Sequence, residues 1–177
     1  LYAASAWLLR EEGFVFVLVG GVTAAGLLGL ASWPPVGEHF WEIVAPSSML
    51  VVLGLICIHA ERAFPDEEGP FSRKRFGLAF FFSGHVVLAG GLLLLLGAFI
   101  SGKWLYEPIF KAVYDRHQTT PSPIVGEQHW LALILVLAAV YAYTYSDLVV
   151  RRIGIYVYVA ALMLIWAFVL VLEELHV

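Results

Sequence analysis

The sequence predicts an all-α integral membrane protein, a bundle of five transmembrane helices. Three observations predict it. Hydrophobic residues make up 61% of the 177-residue chain and charged residues 14%, against ~45–50% and ~25% in an average soluble domain. The apolar residues are gathered into five stretches, 14–32, 43–60, 76–100, 130–146 and 153–172, each close to the ~20 residues that a helix needs to cross a hydrocarbon core. Within these stretches the runs 92–96 and 133–140 are unbroken by any polar residue. Backbone groups in lipid are satisfied only in helices or closed barrels. Barrel strands alternate apolar and polar residues, so unbroken runs select helices.

The elements follow in order. Residues 1–9 are apolar but too short to span, and they lack the basic start of a signal peptide. They read as the tail of an earlier helix or as an interfacial segment, and the chain is expected to be a piece of a longer protein. The first span ends at Trp33-Pro34-Pro35, because proline cannot continue a helix and restricts its predecessor. Pro46 predicts a kink or a late start in the second span, with Ser47 and Ser48 recovering freed backbone groups. The connection 64–75 carries Pro65, Gly69, Pro70 and a charged run that ends in Arg73-Lys74-Arg75. Those three basic residues read as an anchor for the third span. Binding of anionic headgroups is the sharper reading, and a weak one for so few charges.

The long connection 102–128 has Trp104, Leu105, Ile109, Phe110, Val113 and Tyr114 at helix-like spacing. A short helix lying in the outer interface is expected there, followed by an extended linker at Thr120-Pro121-Ser122-Pro123. Tyr141, Tyr143, Tyr145, Tyr156 and Tyr158 gather toward one end of the last two spans. They read as an aromatic belt at the membrane boundary. A site for an aromatic ligand such as a quinone is the alternative. The whole chain, 1–177, is read as a single transmembrane domain.

Five crossings place the two ends on opposite sides. The side of the N-terminus receives Arg10, Arg62, Arg73, Lys74, Arg75, Arg151 and Arg152, and the other side Lys103, Lys111 and Arg116. The acidic residues divide evenly, but basic residues alone set orientation. The N-terminus is expected in the cytoplasm and the C-terminus on the opposite side.

Lipid tails are as apolar as leucine, so small residues that let backbones approach decide which helices pair. Gly21, Ala25 and Gly29 lie four apart on one face of the first span, flanked by Gly20 and Gly26. Gly77, Gly84, Gly91 and Ala98 lie seven apart in the third, a period that keeps one seam on a left-handed neighbour. Both faces are expected to pack within the chain, with a subunit interface as the alternative.

The chain also hints at an internal repeat. Val36-Gly37-Glu38-His39-Phe40-Trp41 precedes the second span and Val125-Gly126-Glu127-Gln128-His129-Trp130 the fourth. Arg75-Phe76-Gly77-Leu78-Ala79-Phe80 opens the third and Arg152-Ile153-Gly154-Ile155-Tyr156-Val157 the fifth. Duplication of one helical hairpin, with the first span added at the edge, would give a parallel repeat. Shared rules for residues at a membrane boundary explain the same matches without descent.

Few residues can carry chemistry. An ionisable group deep in a membrane helix is expensive and so marks function by default. His85 is the one such residue, nine residues into the third span and ~13 Å from its boundary. The plainest role for it is a neutral histidine bonded between helices, with Ser48 or Tyr158 as partner. A proton relay needs further acids at depth, which the spans lack. His59, near the end of the second span, offers a second ligand for haem b, but the two depths differ by roughly 10 Å, which is poor for opposed axial ligands. Asp147 and Arg151 are four apart, as an interfacial ion pair would be. If the repeat is real, Glu38, His39, Glu127 and His129 meet on the outer side, where they suit a divalent metal. The single cysteine, Cys57, excludes an internal disulfide. No basic cluster suits nucleic acid, and no nucleophile–base pair, phosphate-cradling glycine loop or HExxH motif is present.

These features predict a membrane domain that is not an enzyme, carries no cofactor, and serves as anchor, scaffold or accessory subunit of a larger assembly. Its expected partners are the lipid bilayer and other membrane helices. The alternatives are a haem-binding or redox subunit using His85, and a small transporter built on the repeat.

Overall fold

The computed structural model describes residues 11–32, 44–69, 71–100, 127–150 and 153–175. They form five helices long and apolar enough to cross a membrane. Helix α1 is Gly13–Ser32 and α2 is Ala45–Ala60, the latter extended by a 3-10 turn, Glu61–Ala63. Helix α3 opens with a π-helical turn, Arg73–Gly77, and continues over Leu78–Ile100. Helix α4 is Glu127–Tyr145, ending in a second π-helical turn, Ser146–Val150, and α5 is Ile155–Glu174. The expected interfacial helix and linker, the ion pair of Asp147 with Arg151 and the residues 1–9 fall outside the described residues, wholly or in one partner.

Pro46 starts a helix rather than bending one. It occupies the first turn of α2, where its missing N–H has no helical acceptor and its fixed φ suits the helix. Ser48 Oγ donates to the Val44 carbonyl at 2.8 Å. The start of α3 is organised around one acceptor. The Ser72 carbonyl receives the N–H groups of Arg75, Phe76 and Gly77 at 3.1, 3.0 and 3.5 Å.

The bundle is two antiparallel hairpins, α2–α3 and α4–α5, with α1 laid against the first. The α2–α3 hairpin is fastened by glycine. A Cβ on Gly84 would lie 2.8 Å from the Gly54 carbonyl oxygen and from the Ile58 nitrogen. A Cβ on Gly54 would lie 2.9 Å from the Gly84 oxygen, and one on Gly91 3.1 Å from the Ser47 oxygen. The two backbones therefore touch along three turns, at a separation that only glycine permits. At the hairpin's closed end a Cβ on Gly77 would meet the Glu61 carbonyl at 3.0 Å. Phe64, Phe71, Phe76 and Phe80 stack there, with ring centroids 5.1–6.1 Å apart.

The main core lies between the hairpins and is built from Val51, Ile58, Phe81, Leu88, Leu95, Val136, Ala139, Ala142 and Leu170, among others. Alanines on α4 let that helix sit close to the α2–α3 pair. A second cluster seats α1, through Val15 and Val19, on Leu50, Cys57, Phe76 and Ala79.

The small-residue face of α1 goes elsewhere. Gly21, Ala25 and Gly29 are all exposed. Among the described residues, a Cβ on Gly21 or Gly29 would meet nothing within 4 Å. Pairing of this face within the chain was expected; instead α1 turns in Val15, Val19 and Gly26, the last against Met49. The apolar residues of α1 had no preferred side, and bulky valines filled the groove better than glycines.

The two hairpins differ where their sequences match. Gly77 is packed against Glu61, whereas the corresponding Gly154 meets nothing within 4 Å.

Candidate functional site

Polar side chains inside the bundle converge on the face of α4 that meets α2 and α3. His85 is close to the middle of the long third helix, Arg73–Ile100, so it lies within the ~30 Å hydrocarbon core. Its partners are not Ser48 or Tyr158. Ser48 is occupied by the Val44 carbonyl, and Tyr158 is 74% exposed, pointing away from the bundle. Instead His85 Nδ1 bonds the Phe81 carbonyl at 2.8 Å, and Nε2 lies 3.0 Å from Ser146 Oγ. Ser146 is fully buried, and its hydroxyl also bonds the Ala142 carbonyl at 2.7 Å. Three rings enclose the imidazole: Phe81 at 4.4 Å, Tyr156 at 4.9 Å and Tyr143 at 5.7 Å between centroids. The donor and acceptor atoms come from α3 and α4, and the lid of rings from α3, α4 and α5.

His59 docks on the neighbouring strip of α4. Its Nδ1 donates to the Leu55 carbonyl at 2.9 Å, which leaves Nε2 to accept from the Tyr141 hydroxyl at 2.8 Å. The imidazole stacks on Tyr145 at 4.5 Å and on Tyr141 at 5.7 Å. Arg62, one turn on, lies over the other part of this cluster, 5.4 Å from the Tyr145 ring, a cation–π distance. Tyr141, Tyr143, Tyr145 and Tyr156 are thus drawn onto the two histidines, Tyr141 while still 52% exposed, and Tyr158 keeps the outward position expected of a belt. The reason is that 141 and 145, like 142 and 146, are one helical turn apart and share a face.

The histidines are closer in depth than the spans implied. Gly84 packs against both Gly54 and Ile58 of α2. That antiparallel register puts the level of His85 near residue 55, about four residues or ~6 Å from His59. They still do not form the opposed pair that a bis-histidine haem requires. Each Nε2 is engaged by a different α4 side chain, and a macrocycle between them would displace Tyr145 and Ser146.

At the closed end of the α2–α3 hairpin every cation of the basic run meets a carboxylate. Arg73 bridges buried Glu61 at 3.1 Å and also reaches Asp66. The first contact is off the N–H axis, so it is mainly Coulombic. Lys74 pairs with Glu68 at 3.2 Å and Arg75 with Glu12 of the segment before α1 at 3.7 Å. Intramolecular pairing of this kind leaves little charge for lipid phosphates.

On the other side, His129 is buried and turned into α5, with Nε2 donating to the Leu170 carbonyl at 2.7 Å. It clamps the last turn of α5 rather than projecting outward, and that nitrogen is not free for a metal. Glu38, His39 and the Glu127 side chain lie outside the described residues. Among the described residues no three His, Cys, Asp or Glu side chains are grouped as a metal site.

Sequence reasoning identified His85 and His59, and placed Tyr143 in the tyrosine group, but missed Ser146 and Glu61. The signal for Ser146 was present: it follows Tyr143 by three positions and Ala142 by four, on one helical face. Nothing in the sequence marked Glu61 for burial among the seven acidic residues on its side. No family model, curated protein or solved structure matches the chain.

Proposed function

We propose that this chain is a non-catalytic, multi-pass membrane subunit that docks onto a further transmembrane helix through the outer face of α1, with its N-terminus in the cytoplasm. One observation carries the reading. Gly54, Gly84 and Gly91 close α2 on α3 backbone to backbone, whereas Gly21, Ala25 and Gly29, four apart on one face, are left open on α1. Small residues on a lipid-facing helix gain nothing from lipid, whereas they let a second helix approach. His59, His85, His129 and Ser146 each bond within the bundle, while among the described residues Ser83 Oγ, Tyr145 Oη and Trp166 Nε1 are buried without a hydrogen-bond partner. The biased placement of basic residues supports the orientation. Common descent of the two hairpins belongs to the same reading. The ordered sequence matches support it, and the open position of Gly154 weighs against it.

A photo-crosslinking residue at Ala25 tests the docking face in native membranes. It is expected to give a discrete protein adduct, while the same residue at lipid-facing Ile165, 61% exposed, gives lipid adducts only. Leucine at both Gly21 and Gly29 is expected to reduce the Ala25 adduct at least about fivefold, with stability unchanged within ~0.5 kcal/mol, as at other surface positions. Lipid adducts alone at Ala25 would refute the reading. Impermeant labelling of single cysteines in sealed vesicles, on a Cys57→Ala background, is expected to reach the two ends of the chain from opposite faces.

A further inference from the structure

The hydrogen bonds around His85 contain one more acceptor than a neutral ring can fill. The Phe81 and Ala142 carbonyls can only accept. At 2.8 Å from the first, Nδ1 must carry a proton. At 2.7 Å from the second, Ser146 must spend its single hydroxyl proton there. The Ser146 oxygen then presents a lone pair to Nε2 at 3.0 Å, and that contact is a bond only if Nε2 is protonated as well. A neutral ring keeps two of the three bonds. Either Ser146 swings away from Ala142 to donate to Nε2, or Nδ1 gives up Phe81. One added proton completes all three.

The surroundings suit the resulting cation. The rings of Phe81, Tyr156 and Tyr143 stand within ~6 Å, where aromatic faces attract a positive charge. Tyr143 of α4 and Tyr156 of α5 are the titratable side chains that face the imidazole. From α2, the residues packed at this level of α3 are Gly54 and Ile58, which are not titratable. Among the described residues no carboxylate is in contact, so there the charge would be held by oxygen lone pairs and ring faces. Ser146 opens the π-helical turn of α4, a local widening that often accompanies functional positions.

The geometry points to His85 as a proton-binding site inside the membrane, at which uptake of one proton completes the three hydrogen bonds that link Phe81, His85, Ser146 and Ala142 across α3 and α4. The inference is independent of the docking face on α1. It does not require a relay, because one site that binds and releases a proton changes the number of hydrogen bonds held at the α3–α4 contact.

Nitrogen-15 NMR of the chain, labelled at histidine and embedded in phosphatidylcholine nanodiscs, tests this. The His85 ring is identified by its loss in His85→Gln. It is expected to pass from a single-donor neutral tautomer to a ring protonated at both nitrogens as the pH is lowered from about 8 to about 5. Ser146→Ala removes one acceptor of the cation and is expected to weaken proton affinity about tenfold, the worth of one charge-assisted bond. Ser146→Thr, which keeps the hydroxyl, is expected to restore it. A wild-type ring that stays neutral down to about pH 5 would overturn the inference without any variant. Equal proton affinity in wild type and Ser146→Ala would overturn it too.

Discussion

Alanine at Gly84 is expected to force α2 and α3 apart and to be among the most damaging single substitutions in the chain. Its Cβ would stand 2.8 Å from two backbone atoms of α2, the Gly54 oxygen and the Ile58 nitrogen. Neither can move as a side chain could, so one helix must shift against the other. Overpacking of a tight core costs typically ~1–3 kcal/mol. Here it acts on the contact that also positions His85 and, through Ile58 and Leu88, the main core. The gain in helix propensity from glycine to alanine, ~1 kcal/mol, offsets only part of it. A net loss of about 2 kcal/mol, the upper end of that range less the propensity gain, is expected in denaturant titration of the protein in mixed micelles. Gly90 supplies the control, since a Cβ there meets nothing within 4 Å. Gly90→Ala is expected to be neutral or slightly stabilising. Equal effects at the two glycines would show that the α2–α3 backbone contact does not hold the fold together.

Removing the charge of Arg73 should destabilise the closed end of the same hairpin at least as much. Glu61 is 4% exposed and Arg73 answers it at 3.1 Å. Breaking a buried ion pair from one side costs ~3–5 kcal/mol, because the remaining charge is buried without a partner. Arg73 is about a third exposed, so water screens part of the interaction, and about 2–3 kcal/mol is expected for Arg73→Met. Glu61→Gln leaves Arg73 with Asp66 and is expected to cost about half as much. The double variant Glu61→Gln, Arg73→Met is expected to recover at least ~1 kcal/mol relative to Arg73→Met, a non-additivity typical of residues in contact. Strict additivity of the two changes would show that the pair is not coupled.

The histidines show how far the sequence could be read. That His85 mattered was legible, because an ionisable group among 28 residues of membrane-spanning helix, Arg73–Ile100, has few reasons to be there. Its partner was not. Depth counted along each helix suggested Ser48 and Tyr158, since a one-dimensional count gives height but not direction. Rotation about the helix axis decides which neighbour a side chain meets, and that rotation is set by packing. Ser48 turned back on its own helix and Tyr158 turned outward, leaving Ser146. The tyrosines misled for a similar reason. Their position near a boundary fits a belt, but their 141/145 and 143/146-type spacing faces the bundle, where imidazoles were available to bond and stack on.

Glycine spacing was legible as a pattern and ambiguous as a contact. The seven-residue series in α3 lies on α2 through Gly77, Gly84 and Gly91, while Ala98 is only half-buried. The four-residue series in α1 faces outward. Both series let a backbone come near, but a sequence does not say which backbone.

The amino-acid order alone determined the five crossings, their limits within a few residues and the helical class, because hydrocarbon tolerates no unsatisfied backbone and imposes a fixed length. Only the packed bundle decided that α1 shows its small residues to the outside, that Glu61 is buried under Arg73, and that His85 closes on Ser146. Those outcomes depend on helix rotation and register, which arise from side chains far apart in the chain fitting against one another.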